Sequence, residues 1–249
     1  MRIAAISDLH IGTRDRTCGF RHAPERFCAF LDRLEADHDE IVLLGDIWQL
    51  DHEALPGRAS AVRALAQARR RATWLDARLR NGRYALVHGN HDVWTRAELG
   101  AEHTLVRSYG GHRAVFVHGD DFDPVLGKAT RVSHAATWFT GRLRWAGLRG
   151  PAEQLEEQDV RIKARRFQGV DGPYATGARH LARTHQSDLV VMGHTHVPTL
   201  IDVGETHLAN TGTCSRQRFM GVSVDLGSGK VRLLGPGGRI TRETDLPGR

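Results

Sequence analysis

Tyr84-Ala85-Leu86-Val87-His88-Gly89-Asn90-His91-Asp92 is an apolar run that breaks into a glycine followed by a carboxamide, an imidazole and a carboxylate. The first four residues read as a short buried strand and Gly89 as the turn at its end. Three side chains able to ligate a metal or move a proton follow at once. A plain polar turn accounts for the same letters, so the stretch gains meaning only beside the rest of the chain. Four other strand ends are built in the same way.

Arg2 to Ile6 reads as a buried strand that runs into Ser7-Asp8-Leu9-His10, with Gly12 in the turn beyond. Asp8 and His10 stand two apart, so in an extended segment both point the same way and can share an ion. Ile41 to Leu44 ends in Gly45-Asp46, Ala114 to Val117 in His118-Gly119-Asp120, and Asp188 to Met192 in Gly193-His194-Thr195-His196, with Pro198 past the last. Helical periodicity lies between the strands. Pro24 suits a first turn ahead of Phe27, Phe30, Leu31 and Leu34. Ala61, Leu65, Ala68, Ala72, Leu75 and Leu79 predict one long helix, with Arg63, Arg69, Arg70, Arg71 and Arg78 on its solvated faces. Shorter strands are expected around 199–203, 207–209, 220–225 and 231–234. Alternating strands and helices followed by a meander predict an α/β domain with two packed sheets over 1–234, and a loose tail rich in Gly, Pro and charge over 235–249.

One segment interrupts the alternation. From about 121 to 186 the pattern is helical throughout, which predicts an insertion between two strands that carry site residues. Within it Trp138, Phe139, Leu143, Trp145, Ala146 and Leu148 are interleaved with Arg142, Arg144 and Arg149. That mixture suits an interfacial helix or a lid, and packing against the core accounts for the aromatics equally well.

The bulk numbers exclude some classes. With 249 residues, 40% hydrophobic and 26% charged, the chain has enough apolar surface for a large core and no apolar run long enough to cross a membrane. Cys18, Cys28 and Cys214 form no Cys-x-x-Cys pair, and with no signal-like start the expected location is cytoplasmic. The net charge of +6 rests almost wholly on arginine, since Lys128, Lys163 and Lys230 are the only lysines. Charge alone selects no partner among polyanions, anionic lipid and none.

In an open α/β sheet, ligands bind beyond the carboxyl ends of the strands, so five such ends can converge. They would bring together Asp8, His10, Asp46, Asn90, His91, Asp92, His118, Asp120, His194 and His196. Buried charge without partners is costly, and a metal centre removes that cost. Seven or eight ligands exceed the needs of one ion, so two bridged ions are the natural count. Such a pair can hold a hydroxide and clamp a phosphoryl oxygen for in-line displacement.

The order Asp-x-His, Gly-Asp, Gly-Asn-His-Asp, strand-end His and Gly-His-x-His, from Asp8 to His196, resembles the calcineurin-like metallophosphoesterases. The resemblance implies a four-layer α-β-β-α sandwich of two mixed sheets and a dinuclear, metal-dependent phosphohydrolase. It places one ion on Asp8, His10 and His196, a second on Asn90, His118 and His194, and Asp46 between them. His91 would stabilise charge on the phosphoryl group or protonate the leaving oxygen, held in orientation by Asp92. Manganese is the first expectation for the ions, with iron and zinc compatible. The chain departs from the family where the usual Gly-Asp-x-x-Asp reads Gly45-Asp46-Ile47-Trp48-Gln49, with Asp51 two positions on. His118-Gly119-Asp120 ahead of a helical insertion is similar to the UDP-2,3-diacylglucosamine hydrolases, although that group commonly carries Arg at the position of His91. This implies a lipid-linked nucleotide substrate and peripheral contact with the inner membrane. The Gly-Asn-His-Asp spelling also occurs in nucleases of the family, which keeps a phosphodiesterase acting on nucleotides or nucleic acid open, and a non-catalytic scaffold is the third reading.

Overall fold

The computed structural model describes residues 1–52, 57–124, 141–167 and 169–247. In chain order the elements are β1 (Arg2–Ile6), α1 (Pro24–Asp37), β2 (Glu40–Leu44), α2 (Arg58–Arg71), α3 (Thr73–Leu79), β3 (Tyr84–Val87), α4 (Thr95–Leu99), β4 (Thr104–Tyr109) and β5 (His112–Val117). A 3-10 turn at Asp120–Phe122 and helical residues 141–145 follow. Then come α5 (Arg149–Phe167), α6 (Pro173–His185), β6 (Leu189–Met192), β7 (Thr199–Asp202), β8 (His207–Asn210), β9 (Gly221–Asp225), β10 (Lys230–Leu234) and β11 (Ile240–Asp245).

The strands form two mixed sheets, ordered β11-β10-β9-β1-β2-β3 and β4-β5-β6-β8-β7. Within them β1, β2 and β3 run parallel, as do β5, β6 and β8, so their carboxyl ends share one rim. Period-two alternation sorts each central strand between two apolar layers. Ile3, Ala5, Val42 and Leu44 meet Ala114, Phe116, Leu189 and Val191 between the sheets. The intervening Ala4, Ile6, Ile41 and Leu43 turn outward onto Phe27, Phe30, Leu31 and Leu65 of α1 and α2. On the far side Val115, Val117, Val190 and Met192 meet Tyr174, Ala175 and Ala178 of α6. The result is a four-layer α-β-β-α sandwich, as the family resemblance implied. Phe27, fully buried at the centre of the α1 layer, would cost about 3–5 kcal/mol if cut back to alanine.

Four expectations need correction. The predicted long helix breaks at Ala72, whose φ of −109° and ψ of 50° separate α2 from α3. Ala61, Leu65, Ala68, Ala72 and Leu75 are buried all the same, because the apolar face survives the kink. β4 was not expected. It carries exposed Ser108 and Tyr109, and it is fixed by antiparallel pairing with β5, Val106 opposite Val115. The tail expected over 235–249 contains β11, which pairs antiparallel with β10. Its Ile-Thr-Arg-Glu-Thr-Asp sequence is largely exposed, the polar composition of an edge strand held by backbone bonds. Finally, α6 is no part of an insertion, since it forms the outer helical layer on β5 and β6. Trp138 and Phe139 lie outside the described residues. Among the described residues no helix is long and apolar enough to cross a membrane.

Candidate metal centre

Five of the motif residues leave their strands with left-handed backbone: Asp8 (φ 56°), His10 (52°), Asp46 (53°), His194 (66°) and His196 (60°). Non-glycine residues adopt this region at a cost of roughly 1–3 kcal/mol each and do so mostly at functional sites. Asp8 and His10 therefore reach one place through two sharp bends rather than through strand alternation. Gly89 is required by close approach: a Cβ there would lie 2.3 Å from Asp46 Oδ1 and 2.8 Å from His118 Cδ2.

The bends gather three groups whose ligand atoms lie within 4.8 Å of one another: Asp8, His10 and His196; Asp46, His118 and His194; and His10, Asp46 and His91. In the first, His196 Nε2 is 3.0 Å from Asp8 Oδ1 and 3.3 Å from His10 Nε2. In the second, His118 Nε2 is 3.2 Å from Asp46 Oδ2. Asn90 stands beside them with its Oδ1 buried and lacking a hydrogen-bond partner. Asp120, also pooled from the sequence, follows Gly119 in the 3-10 turn, and burial raises its carboxyl above the usual range.

Three of the imidazoles are oriented from behind. His118 Nδ1–H donates to the Leu44 carbonyl at 2.9 Å, so its Nε2 faces Asp46. His10 Nδ1–H donates to Gln49 Oε1 at 2.8 Å, which turns Nε2 to the centre. His194 Nε2 meets Asp123 Oδ2 at 3.1 Å. Such partners fix tautomer and ring direction in metal sites. Asp8 Oδ2 accepts from Ser7 Oγ and, at 3.1 Å, from the His194 N–H, leaving Oδ1 toward His196.

Electrostatics agree with a cation site. Burial raises the Asp8 carboxyl, but the neighbouring His196 outweighs it and holds the group below the usual range. Burial likewise opposes ionisation of Asp46, yet His118 and His91 keep it well below that range. His118 is raised well above the ordinary value because Asp46 outweighs burial, whereas burial pushes His10 down to about 3. Anionic carboxylates, inward imidazole nitrogens and the buried Asn90 Oδ1, which has no hydrogen-bond partner, are a donor set suited to divalent ions. The residues present fit two such ions.

Asp92 has a different task from the one the resemblance implied. Its carboxylate accepts from the backbone N–H groups of Ile47 (2.8 Å), Trp48 (3.1 Å), Gly89 (2.7 Å) and Asp46 (3.3 Å), so it ties the β2 and β3 loops together. Burial, then the negative Asp46, push it up to about 6. The carboxylate that faces His91 belongs to Asp51, with Oδ2 2.7 Å from Nδ1. Gln49 Nε2 is 2.9 Å from the same nitrogen and donates to Asp51 Oδ1 at 2.5 Å. An ionised carboxylate can only accept, so Nδ1–H belongs to Asp51 and Nε2 points inward, 3.8 Å from Asp46 Oδ2. Burial works to raise Asp51, but His91 prevails and lowers it.

With this geometry in view, comparison places the chain: the family model described as calcineurin-like phosphoesterase matches residues 1–198. The chain belongs to that family. The family and its clustered His and Asp ligands make it a metal-dependent phosphoester hydrolase. Among solved structures, the fold is similar to a dimetal phosphatase from Danio rerio at 15% identity and a TM-score of 0.55, covering 99% of both chains. It is also similar to Yfce, a phosphoesterase from E. coli, at 15% identity and a TM-score of 0.51, covering 99% of this chain and 100% of that one. Vacuolar Protein Sorting 29 from Cryptosporidium parvum matches at 16% identity and a TM-score of 0.51, with 98% and 97% covered. At such identities the likeness concerns the fold. No curated protein matches the sequence.

Asp51, Asp123 and the orienting role of Gln49 were not identified from sequence. Asp51 carried a faint signal, as the first carboxylate after a motif position that had lost one. Asp123 follows the 3-10 turn and has no spacing rule to betray it.

Proposed function

We propose that this calcineurin-like phosphoesterase cleaves phosphoester or pyrophosphate bonds at a dinuclear centre held by Asp8, His10 and His196 on one side and Asn90, His118 and His194 on the other, with Asp46 shared. The observation that carries the reading is the presence of two separate ligand groups, one built on Asp8 and the other on Asp46. When bound, two divalent ions, manganese first and iron or zinc as alternatives, would activate water and polarise a phosphoryl oxygen. The chain's own residues do the rest. His91 Nε2 faces the reacting phosphoryl group, and its Nδ1–H bond to Asp51 keeps that nitrogen aimed inward and stabilises the imidazolium that donates a proton to the leaving oxygen. Asp92 holds the loop that carries Asn90 and His91 in register with Asp46.

The substrate we infer is a lipid-linked nucleotide such as UDP-2,3-diacylglucosamine. In support, Gly141 packs against His52, whose ring lies 6.4 Å from that of His91, so residues 141–145 approach the rim of the centre. They bring Trp145, with the Arg14 guanidinium 4.2 Å and the Arg142 guanidinium 5.4 Å from its ring centre. A cationic and aromatic rim suits an organic phosphate. Metal analysis combined with hydrolysis of this pyrophosphate, p-nitrophenyl phosphate and bis-p-nitrophenyl phosphate tests the reading. About two ions per chain with preferred turnover of the pyrophosphate supports it. Preference for the artificial diester transfers the assignment to a phosphodiesterase, and inactivity after reconstitution overturns the hydrolase mechanism.

A further inference from the structure

Beside the centre lies a small cavity with donors of its own. His88, His103, His118, Asp120 and Asp121 line it among apolar neighbours, and its volume of about 30 Å³ is enough for one water-sized occupant. His88 is 8% exposed, and both of its ring nitrogens are buried without a hydrogen-bond partner. Each imidazole nitrogen is a donor or an acceptor, and leaving one buried and unmet costs about 1–3 kcal/mol. An occupant of the cavity removes that cost.

Backbone brings the second imidazole alongside. The His88 N–H donates to the Glu102 carbonyl at 3.0 Å and the Glu102 N–H to the Leu86 carbonyl at 2.8 Å, so the end of β3 lies against the segment that carries His103. The two rings stand 5.3 Å apart between centres, inclined by 30°. Asp121, in the 3-10 turn after β5, places Oδ2 2.9 Å from His103 Nε2. The carboxylate–imidazole pairs of the dinuclear centre have the same spacing, 3.0 Å for Asp8 with His196 and 3.2 Å for Asp46 with His118.

We propose that His88, His103 and Asp121 form a third cation site, separate from the dinuclear centre, that takes a transition-type divalent ion such as zinc. Two imidazoles favour such an ion over magnesium or calcium, and the carboxylates of Asp121 and Asp120 on the cavity wall disfavour an anion. Three protein ligands with water in the fourth position is a coordination that zinc accepts. Among the described residues these three donors are not gathered within 4.8 Å, as the groups around Asp8 and Asp46 are. The side chains of His103 and Asp121 are 49% and 59% exposed, so they can close on the ion while the buried His88 stays fixed. Since Gly89 and Asn90 follow His88 directly, the ion ties the loop of the centre to the turn after β5.

The test is a count of bound zinc after equilibrium dialysis of the full chain against free zinc from roughly 0.1 to 100 µM. The wild type should hold about one ion per chain more than His103→Ala or Asp121→Asn, each of which should weaken that ion at least about tenfold. A zinc-edge anomalous peak in wild-type crystals should lie between His88 and Asp121. Both substitutions fall on exposed side chains, so the zinc-free thermal midpoint and manganese-dependent turnover of p-nitrophenyl phosphate should match the wild type. Equal zinc counts in the three proteins, or no anomalous peak beside His88, overturn the proposal and leave the cavity to water. Loss of turnover together with the ion also overturns it, because the ion removed then belongs to the dinuclear centre.

Discussion

The floor of the centre and its rim are held by different means. Around Asp46, His118 and Asn90 the positions are set by backbone: left-handed bends, a glycine with no room for a Cβ, and four N–H groups converging on Asp92. Around His91 the ring is oriented by side chains, through Asp51, Gln49 and the Gln49–His10 bond. A floor made of backbone can fail only as a unit, taking metal and stability with it. A rim made of side chains can be taken apart piece by piece, and loss of Asp51 or His91 should alter turnover while the ions stay in place.

The largest expected effect lies in the floor. Asp92→Ala leaves four N–H groups without their acceptor, and since an unsatisfied buried donor costs about 1–3 kcal/mol, a loss of several kcal/mol in urea unfolding should accompany loss of metal. An Asp92→Ala protein of unchanged stability would show that the loops are held by something else. In the rim, Asp51→Asn removes the charge that stabilises protonated His91. It should lower kcat roughly tenfold to a hundredfold at constant metal content, with KM little changed. Metal loss in that variant would merge rim and floor and break the distinction.

The smallest effect lies far from both. Burial lowers the pKa of His22 and His38, with His38 bonded to the Leu34 carbonyl at 2.8 Å and to Ser223 Oγ at 2.7 Å. A group whose folded value is depressed contributes stability that is present above its unfolded value, near 6.5, and lost as pH falls below it. Unfolding midpoints should therefore drop between pH 7.5 and 5, and His38→Gln should flatten the slope. An unaltered slope in that variant would remove His38 from the account.

The same division explains what could be read in advance. Strand-end motifs were legible because backbone constraints leave a fixed spelling: Gly where nothing larger fits, then residues able to donate or ligate. Period-two and period-3.6 patterns gave the two sheets and α1 for the same reason. The partner of His91 was misread as Asp92, because adjacency in sequence stood in for contact, while Asp51 reaches the ring only after the β2 loop folds back. Asp123, the kink at Ala72 and the polar edge strand β11 depend on neighbours distant in the chain, which local pattern does not encode.

The most direct test of the centre is to measure metal content and bis-p-nitrophenyl phosphate turnover on the same preparations of wild-type, Asp46→Ala and His91→Ala protein after manganese reconstitution. The account predicts about two ions in the wild type, loss of ions with activity in Asp46→Ala, and two ions with turnover reduced roughly a hundredfold or more in His91→Ala. Full turnover in His91→Ala, or an Asp46→Ala protein that keeps both ions and its activity, would contradict it.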